Sequence, residues 1–530
     1  MSLVRHLDGF RRIWMFPRNI RRISPWKMSQ ILSLIMQHAR YGEWSGNQSL
    51  QNAFCNGLEA AGLKREGEQY DPHSGGPRTY LAQLKCLGLI FQRDDELLLT
   101  KAGEDLAEGV PPLPIMQSML LRHQYPSIYG QLQNVKINPD MKVKPFLFVL
   151  KLLNNPRVKH LTNEELAVPV IFGHNNDCLN LCVRKISQLR SGASLLNILE
   201  NRESDLYLPR GSHGNVMSNI LDIANTAKNY LQACCLINVE TADGENTITF
   251  AEEMRDVYES ALRIEDDFIP VQSEESFQRA YGAWDRIKDT RSLVHKTTVR
   301  VVTAEESIIL AQFYSLCGTQ IISSVPESFI DQMQSSFGID RNKVLDTIQP
   351  HIAQALDFFE STFLELSRSG TSGALGFEKA ITNLFNEKLY FKAKHTGQMR
   401  RAGEVGGYSD VFAVALDNKH CAIIDAKASP SYSLPASDYH AMLGNYIPNY
   451  RELTDGMDLE LEFCSYVAGG FRGDIASKLK HLQSKSRIGC SAIRARDLLH
   501  LAKKNVHSAK QPHIRAVFRN GGILEQSDFD

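Results

Sequence analysis

Apolar residues recur three and four positions apart over residues 28–39 (MSQILSLIMQHA) and over 48–63, which predicts two amphipathic helices. A polar stretch with Gly and Pro, 65–77, precedes a third predicted helix at 78–87. Apolar runs flanking Arg93-Asp94-Asp95-Glu96 predict a two-stranded hairpin, and a short helix starts at Lys101. The same phrase recurs downstream: residues 231–237, a turn at Asp243-Gly244, a strand at 247–249 and a helix at 252–262. Helices predicted at 146–153, 162–167, 178–190 and 215–233 surround it. From 274 to 369 the pattern is helical, with Thr303-Ala304-Glu305-Glu306 as an N-terminal cap before 307–316 and one amphipathic run over 343–366. Residues 367–373 (SRSGTSG) have the composition of a flexible hinge. Beyond it come a helix at 376–385, a strand at 411–416, a turn at Asp417-Asn418-Lys419 and a strand from 421.

Three helices followed by a two-stranded wing resemble a winged helix-turn-helix, whose third helix is the expected major-groove reader. Its polar positions are Arg78, Thr79, Gln83 and Lys85, and the corresponding helix of the second copy carries Asn219, Asn225 and Lys228. A winged helix used only for packing or protein contact is the alternative. The domain reading is a basic arm at 1–27, winged-helix DNA-recognition domains at 28–141 and 142–268, a helical spacer at 269–370, and a cleavage domain at 371–530. The fold class is accordingly multidomain α+β with a C-terminal α/β core.

Composition narrows the class without naming a partner. The chain has 530 residues, 43% hydrophobic and 22% charged, with a formal net charge of −1. That is an ordinary multidomain globular composition. Charge distribution says more. Before residue 41 stand Arg5, Arg11, Arg12, Arg18, Arg21, Arg22, Lys27 and Arg40 against Asp8 alone, an arm suited to phosphates. No sustained apolar run follows these arginines, so they do not read as a targeting peptide. The ten cysteines are scattered without a C-x-x-C pair, which favours small core residues in a reducing cytoplasm over a zinc or disulfide framework. No stretch of about 20 apolar residues suggests a membrane span.

The chemistry concentrates near the end. The run Cys421-Ala422-Ile423-Ile424 stops at Asp425, one spacer and Lys427, and residues two apart in a strand share a face. Asp410 opens the preceding strand, so two carboxylates and an ammonium are expected at one spot, with Glu378 on the preceding helix as a third carboxylate. Asp410, Asp425 and the carbonyl of Ala426 form an oxygen-rich set suited to Mg²⁺. Arg400, Arg401, Lys392 and Lys394 are candidates to face phosphates, or are solvated charges.

This order of helix, Asp-bearing strand and Asp-x-Lys strand resembles the PD-(D/E)xK nuclease core. The segments DAKA at 425–428, YSLP at 432–435, Met442, LEF at 461–463 and VAGGFRG at 467–473, running on to Leu498-Leu499, are similar to the cleavage domain of FokI-type restriction endonucleases. The stretches 123–127 and 144–153 resemble recognition regions of AlwI and BspD-type nicking enzymes. The resemblance implies a type IIS restriction endonuclease that binds a short asymmetric DNA site and cuts a fixed distance outside it with Mg²⁺. Its partners would be double-stranded DNA, a second cleavage domain or subunit, and a cognate methyltransferase, in a prokaryotic cytoplasm. Three positions, in two places, depart from the family pattern. Ser409 stands where a proline precedes the first Asp, and His440 and Gly444 replace the Asp and Arg that pair across a FokI dimer. Strand-specific nicking, a heterodimer subunit, and a non-catalytic winged-helix regulator therefore stay open.

Overall fold

The computed structural model describes residues 5–6, 8–17, 25–39, 47–60, 75–93, 96–132, 135–199, 206–207, 215–242, 245–293, 303–399, 407–504 and 508–529. The chain forms two compact units, residues 1–239 with 247–307, and residues 240–246 with 308–530.

In the first unit, helices Pro25–Ala39, Gln48–Ala60 and Gly75–Cys86 precede a hairpin of Ile90–Arg93 and Glu96–Leu99, in which Ile90 pairs with Leu99. A second small sheet pairs His160–Thr162 with Glu245–Phe250, which in turn neighbours Ile237–Ala242. One continuous apolar core joins these parts, from Ile13 to Tyr281. At its centre Phe146 stacks on Tyr230 at 6.0 Å and meets His123 at 5.7 Å, so packing is shared across the 141/142 boundary read from the sequence. The helix expected at 162–167 forms instead at Ala167–Phe172, after the His160–Thr162 strand.

The segment expected as a spacer from 269 is divided. The helix Glu274–Tyr281, started by a Ser273/Ser276 capping box, lies along the first hairpin. Its Glu274 accepts the backbone N–H of Gln92 at 2.8 Å, and its Glu275 takes Arg93 Nε at 2.8 Å. The later helices Glu327–Phe337, Arg341–Ile348 and Ala355–Leu366 belong to the second unit. The single run expected over 343–366 is interrupted by a 3₁₀ turn, Gln349–Gln354. Pro350 has no N–H to continue the α-helical ladder there.

The second unit is built on a six-stranded sheet, in spatial order Gly522–Leu524, Gly489–Arg494, Glu460–Ala468, His420–Ala426, Val411–Val414 and Lys392–His395. The last three pair antiparallel, and the others pair parallel. Both faces are covered. On one, Val411, Ala413, Ala422, Ile424, Phe463 and Val467 meet the helices Ala374–Glu387 and Gln511–Asn520. On the other, Phe412, Val414, Cys421, Ile423, Cys464 and Tyr466 meet Met442 and the helix Ile475–Ser486. Near-continuous apolar strands are what a sheet buried on both sides requires. The 367–373 stretch is not a free hinge: Ser367 is buried, and the N–H of Gly370 donates to Ala428 O at 2.8 Å.

Candidate active site

Strand alternation decides which side chains meet. Cys421 and Ile423 face one layer, and the same parity carries Asp425 and Lys427 to that side. Phe412 and Val414 face it from the neighbouring strand, which carries Asp410 there too. Because Ile424 pairs with Val411 in antiparallel register, the next step outward sets Asp425 beside Asp410.

The two carboxyls lie within hydrogen-bond reach, and Asp410 Oδ2 accepts the Ala426 N–H at 2.7 Å. Asp425 is only 2% exposed. Burial, and then the charge of Asp425, push Asp410 well above the usual carboxylate range. Lys427 Nζ stands 2.9 Å from Asp425 Oδ2 and 3.5 Å from Asp438 Oδ2. Its backbone is fixed by an N–H bond to Val467 O at 2.8 Å.

Glu378 arrives from the opposite layer, on the helix Ala374–Glu387, whose Phe377, Ala380, Ile381 and Leu384 are buried against the sheet. Its Oε2 lies 2.7 Å from His395 Nε2. Gly397 shows how closely this carboxylate approaches Asp410. A Cβ at Gly397 would stand 2.7 Å from Asp410 Oδ1 and 3.0 Å from Glu378 Oε2. The backbone before Asp410, where Ser409 replaces proline, is held by Thr396: its Oγ1 donates to Ser409 O at 2.6 Å and its N–H to Asp410 O at 2.8 Å.

His395, Gly397 and Asp438 were not singled out from the sequence. His395 ends a strand of alternating character, and Asp438 looks like an ordinary first-turn acid, so neither announces a site. Among the described residues no group of three or more His, Cys, Asp or Glu side chains stands ready as a metal centre. The expected donor set is smaller: two carboxylates and the carbonyl of Ala426. Two neighbouring carboxyls, Asp425 buried and Asp410 partly buried, fit a hard divalent cation in charge and donor type.

The expected DNA contacts are placed unequally. Arg78 is exposed and Thr79 half-buried on the helix Gly75–Cys86. Gln83 of the same helix is fully buried, its amide donating to Tyr230 Oη at 3.3 Å. Lys85 turns toward Glu274, 2.9 Å away, and Gln92. Asn219 bonds to Asn215 O at 2.9 Å, and Lys228 to Asn163 Oδ1 at 3.1 Å; both are buried. These four side chains are therefore held by contacts within the protein. Lys392 bonds to Asn418 Oδ1 at 2.9 Å and Lys394 pairs with Asp455, both exposed. Arg21, Arg22, Arg400 and Arg401 lie outside the described residues.

Residues 338–524 match the family model described as the FokI cleavage domain. This part of the chain is a FokI-type cleavage domain. That match supports a FokI-like restriction endonuclease with a C-terminal cleavage domain. Among solved structures, that of restriction endonuclease FokI is 12% identical, with a TM-score of 0.29, covering 95% of this chain and 99% of the other. FokI bound to DNA is 13% identical, with a TM-score of 0.28, covering 96% and 94%. The BpuJ1 endonuclease binding domain, in complex with pyrene- and phenanthrene-modified DNA, is 15% identical, with a TM-score of 0.32, covering 48% of this chain and 90% of the other. No curated protein matches the chain.

Proposed function

We propose that this chain is a type IIS enzyme whose first unit reads a short asymmetric DNA site and whose FokI-type domain hydrolyses phosphodiester bonds a fixed distance away, with Mg²⁺. The observation that carries this reading is the meeting of Asp410, Asp425 and Lys427 at adjacent strand ends within the family segment. For recognition, the exposure of Arg78 favours it over Gln83, Lys85, Asn219 and Lys228, with Thr79 half-buried beside it. A winged-helix role for the three helices and hairpin belongs to the same proposal. So do phosphate contacts by Arg21, Arg22, Arg400 and Arg401, and a cytoplasmic setting with a companion methyltransferase.

Asp410 and Asp425, with the Ala426 carbonyl, would hold Mg²⁺. When bound, the ion supplies Lewis-acid polarisation of the phosphate and a more acidic water. The Ala426 N–H keeps the Asp410 carboxylate turned inward. The ammonium of Lys427 orients the attacking water and stabilises charge that develops on the phosphorane oxygens. Glu378, held by His395, adds negative charge beside Asp410.

A second reading, strand-specific nicking or action as one subunit of a heterodimer, is favoured by one observation. His440 and Gly444 are both exposed, and neither offers the opposite charges of the FokI dimer contact. Digestion of plasmid DNA with Mg²⁺ and with EDTA, followed by run-off sequencing of both strands, separates the readings. Asp425→Ala and Lys427→Ala should abolish cutting and keep specific binding. Loss of binding in both variants, or a wild-type chain that cuts no DNA with any divalent cation, overturns the nuclease assignment.

A further inference from the structure

The ammonium of Lys427 is held between two carboxylates, and only one of them belongs to the expected metal set. The other is Asp438, in the first turn of the helix Ala436–Ala441. We propose that Asp438 is a positioning residue for this reaction: it holds the Lys427 ammonium in place at the scissile phosphate. This rests on the nuclease reading above and adds a residue to it.

A lysine ammonium sits on a flexible four-carbon stem and needs fixed acceptors to keep one position. Asp425 alone is a poor anchor, since its oxygens are also wanted by the cation. Asp438 carries no such second duty, and it is itself built in. Its Oδ2 accepts the Tyr432 hydroxyl at 2.7 Å, and its backbone O accepts the Tyr466 hydroxyl at 3.3 Å. Tyr432 is anchored in turn: its N–H donates to Gly470 O at 2.8 Å, and its O accepts the Arg472 N–H at 3.0 Å. The two tyrosine rings lie 5.7 Å apart. The loop between Tyr432 and the helix is pinned by Lys478, whose Nζ donates to Ser433 O at 2.8 Å and Leu434 O at 3.0 Å. The chain from strand to helix thus presents Asp438 to Lys427 from a rigid support. At 3.5 Å the contact is an ion pair, and a fixed carboxylate at that distance favours one position of the ammonium by charge.

The test uses the full chain, enzyme in excess, on supercoiled plasmid carrying its site, with Mg²⁺. The single-turnover rate, the DNA dissociation constant in EDTA and the thermal midpoint are all measured. Asp438→Ala should slow cutting by about ten- to a hundredfold, the order expected for a sub-ångström misplacement, with affinity within about twofold. Asp438→Asn keeps the shape and can accept the Tyr432 hydroxyl, yet lacks the charge. It should fall nearly as far as alanine, whereas a merely structural Asp438 predicts wild-type cutting for asparagine. Asparagine cutting at the wild-type rate, or affinity falling as much as rate, overturns the proposal. Asp438→Asn decides the matter even if Asp438→Ala does not fold. A wild type that cuts nothing refutes the nuclease reading itself, whereas a cutting wild type with an indifferent Asp438→Asn refutes only this assignment.

Discussion

Gly397→Ala isolates the carboxylate geometry better than removing a carboxylate. The added methyl would lie 2.7 Å from Asp410 Oδ1, 3.0 Å from Glu378 Oε2 and 3.2 Å from Asp410 Cα. Ordinary contact begins at about 3.4 Å, so the Asp410 oxygen must retreat by about 0.7 Å and the Glu378 oxygen by about 0.4 Å. Asp410 has little room to comply, because its other oxygen holds the Ala426 N–H at 2.7 Å and its backbone O accepts the Gly397 N–H at 3.1 Å. Displacements of about 1 Å at reacting groups cost on the order of a hundredfold, so a loss of about ten- to a hundredfold in single-turnover cutting is expected. DNA affinity in EDTA should stay within about twofold, since no expected DNA contact is touched, and circular dichroism should show an intact fold. A folded Gly397→Ala enzyme that cuts at the wild-type rate would refute the reasoning. Asp410 and Glu378 could then move apart without consequence and would not be working members of the site.

Three further outcomes follow from particular contacts. Glu378→Gln and His395→Ala should both raise the Mg²⁺ concentration needed for half-maximal cutting by about tenfold, read by metal titration, whereas unchanged titrations would return Glu378 to an ordinary helix residue. His123 is buried, and burial lowers its pKa to about 4. The unfolded chain takes this proton first as pH falls from about 6.5, so stability should be complete above that pH and drop by up to about 3 kcal/mol by pH 4. Denaturation of wild type and His123→Leu across this range should show the slope only in wild type. Arg515, 8% exposed, bonds Glu462 and Asp417 at 2.6 Å each. Arg515→Met should destabilise the second unit by about 3 kcal/mol in urea, since Glu462 would lose its nearest counter-charge; a loss below about 1 kcal/mol would show that Arg519, 3.3 Å from Glu462, suffices.

Local pattern made the candidate site readable and left its surroundings hidden. The strand ending in Asp425 and Lys427 could be placed because two-residue periodicity and a turn at Asp417-Asn418-Lys419 are short-range signals. The inward direction of Lys85 could not, since its partner Glu274 lies far along the chain in a stretch that reads as connector. Gln83 shows the same limit: a glutamine on a helix looks like a reader until Tyr230 closes over it. Asp438 and His395 escaped because each acts through a tertiary contact, with Lys427 and Glu378 respectively. In 367–373, a composition of Ser and Gly describes conformational freedom but not the bond to Ala428 that removes it.

That last contact changes what counts as a transplantable cutter. The helix Ala355–Leu366 lays Phe363 against Phe377 with Phe359 stacked on Phe363, all three fully buried, and its end is tied beside the loop that follows Lys427. A fusion made by severing the chain at 371 would strip an aromatic face from the helix that carries Glu378. A graft of this module onto a foreign DNA reader should instead begin upstream of 338, where the family match starts, and leave its new joint there.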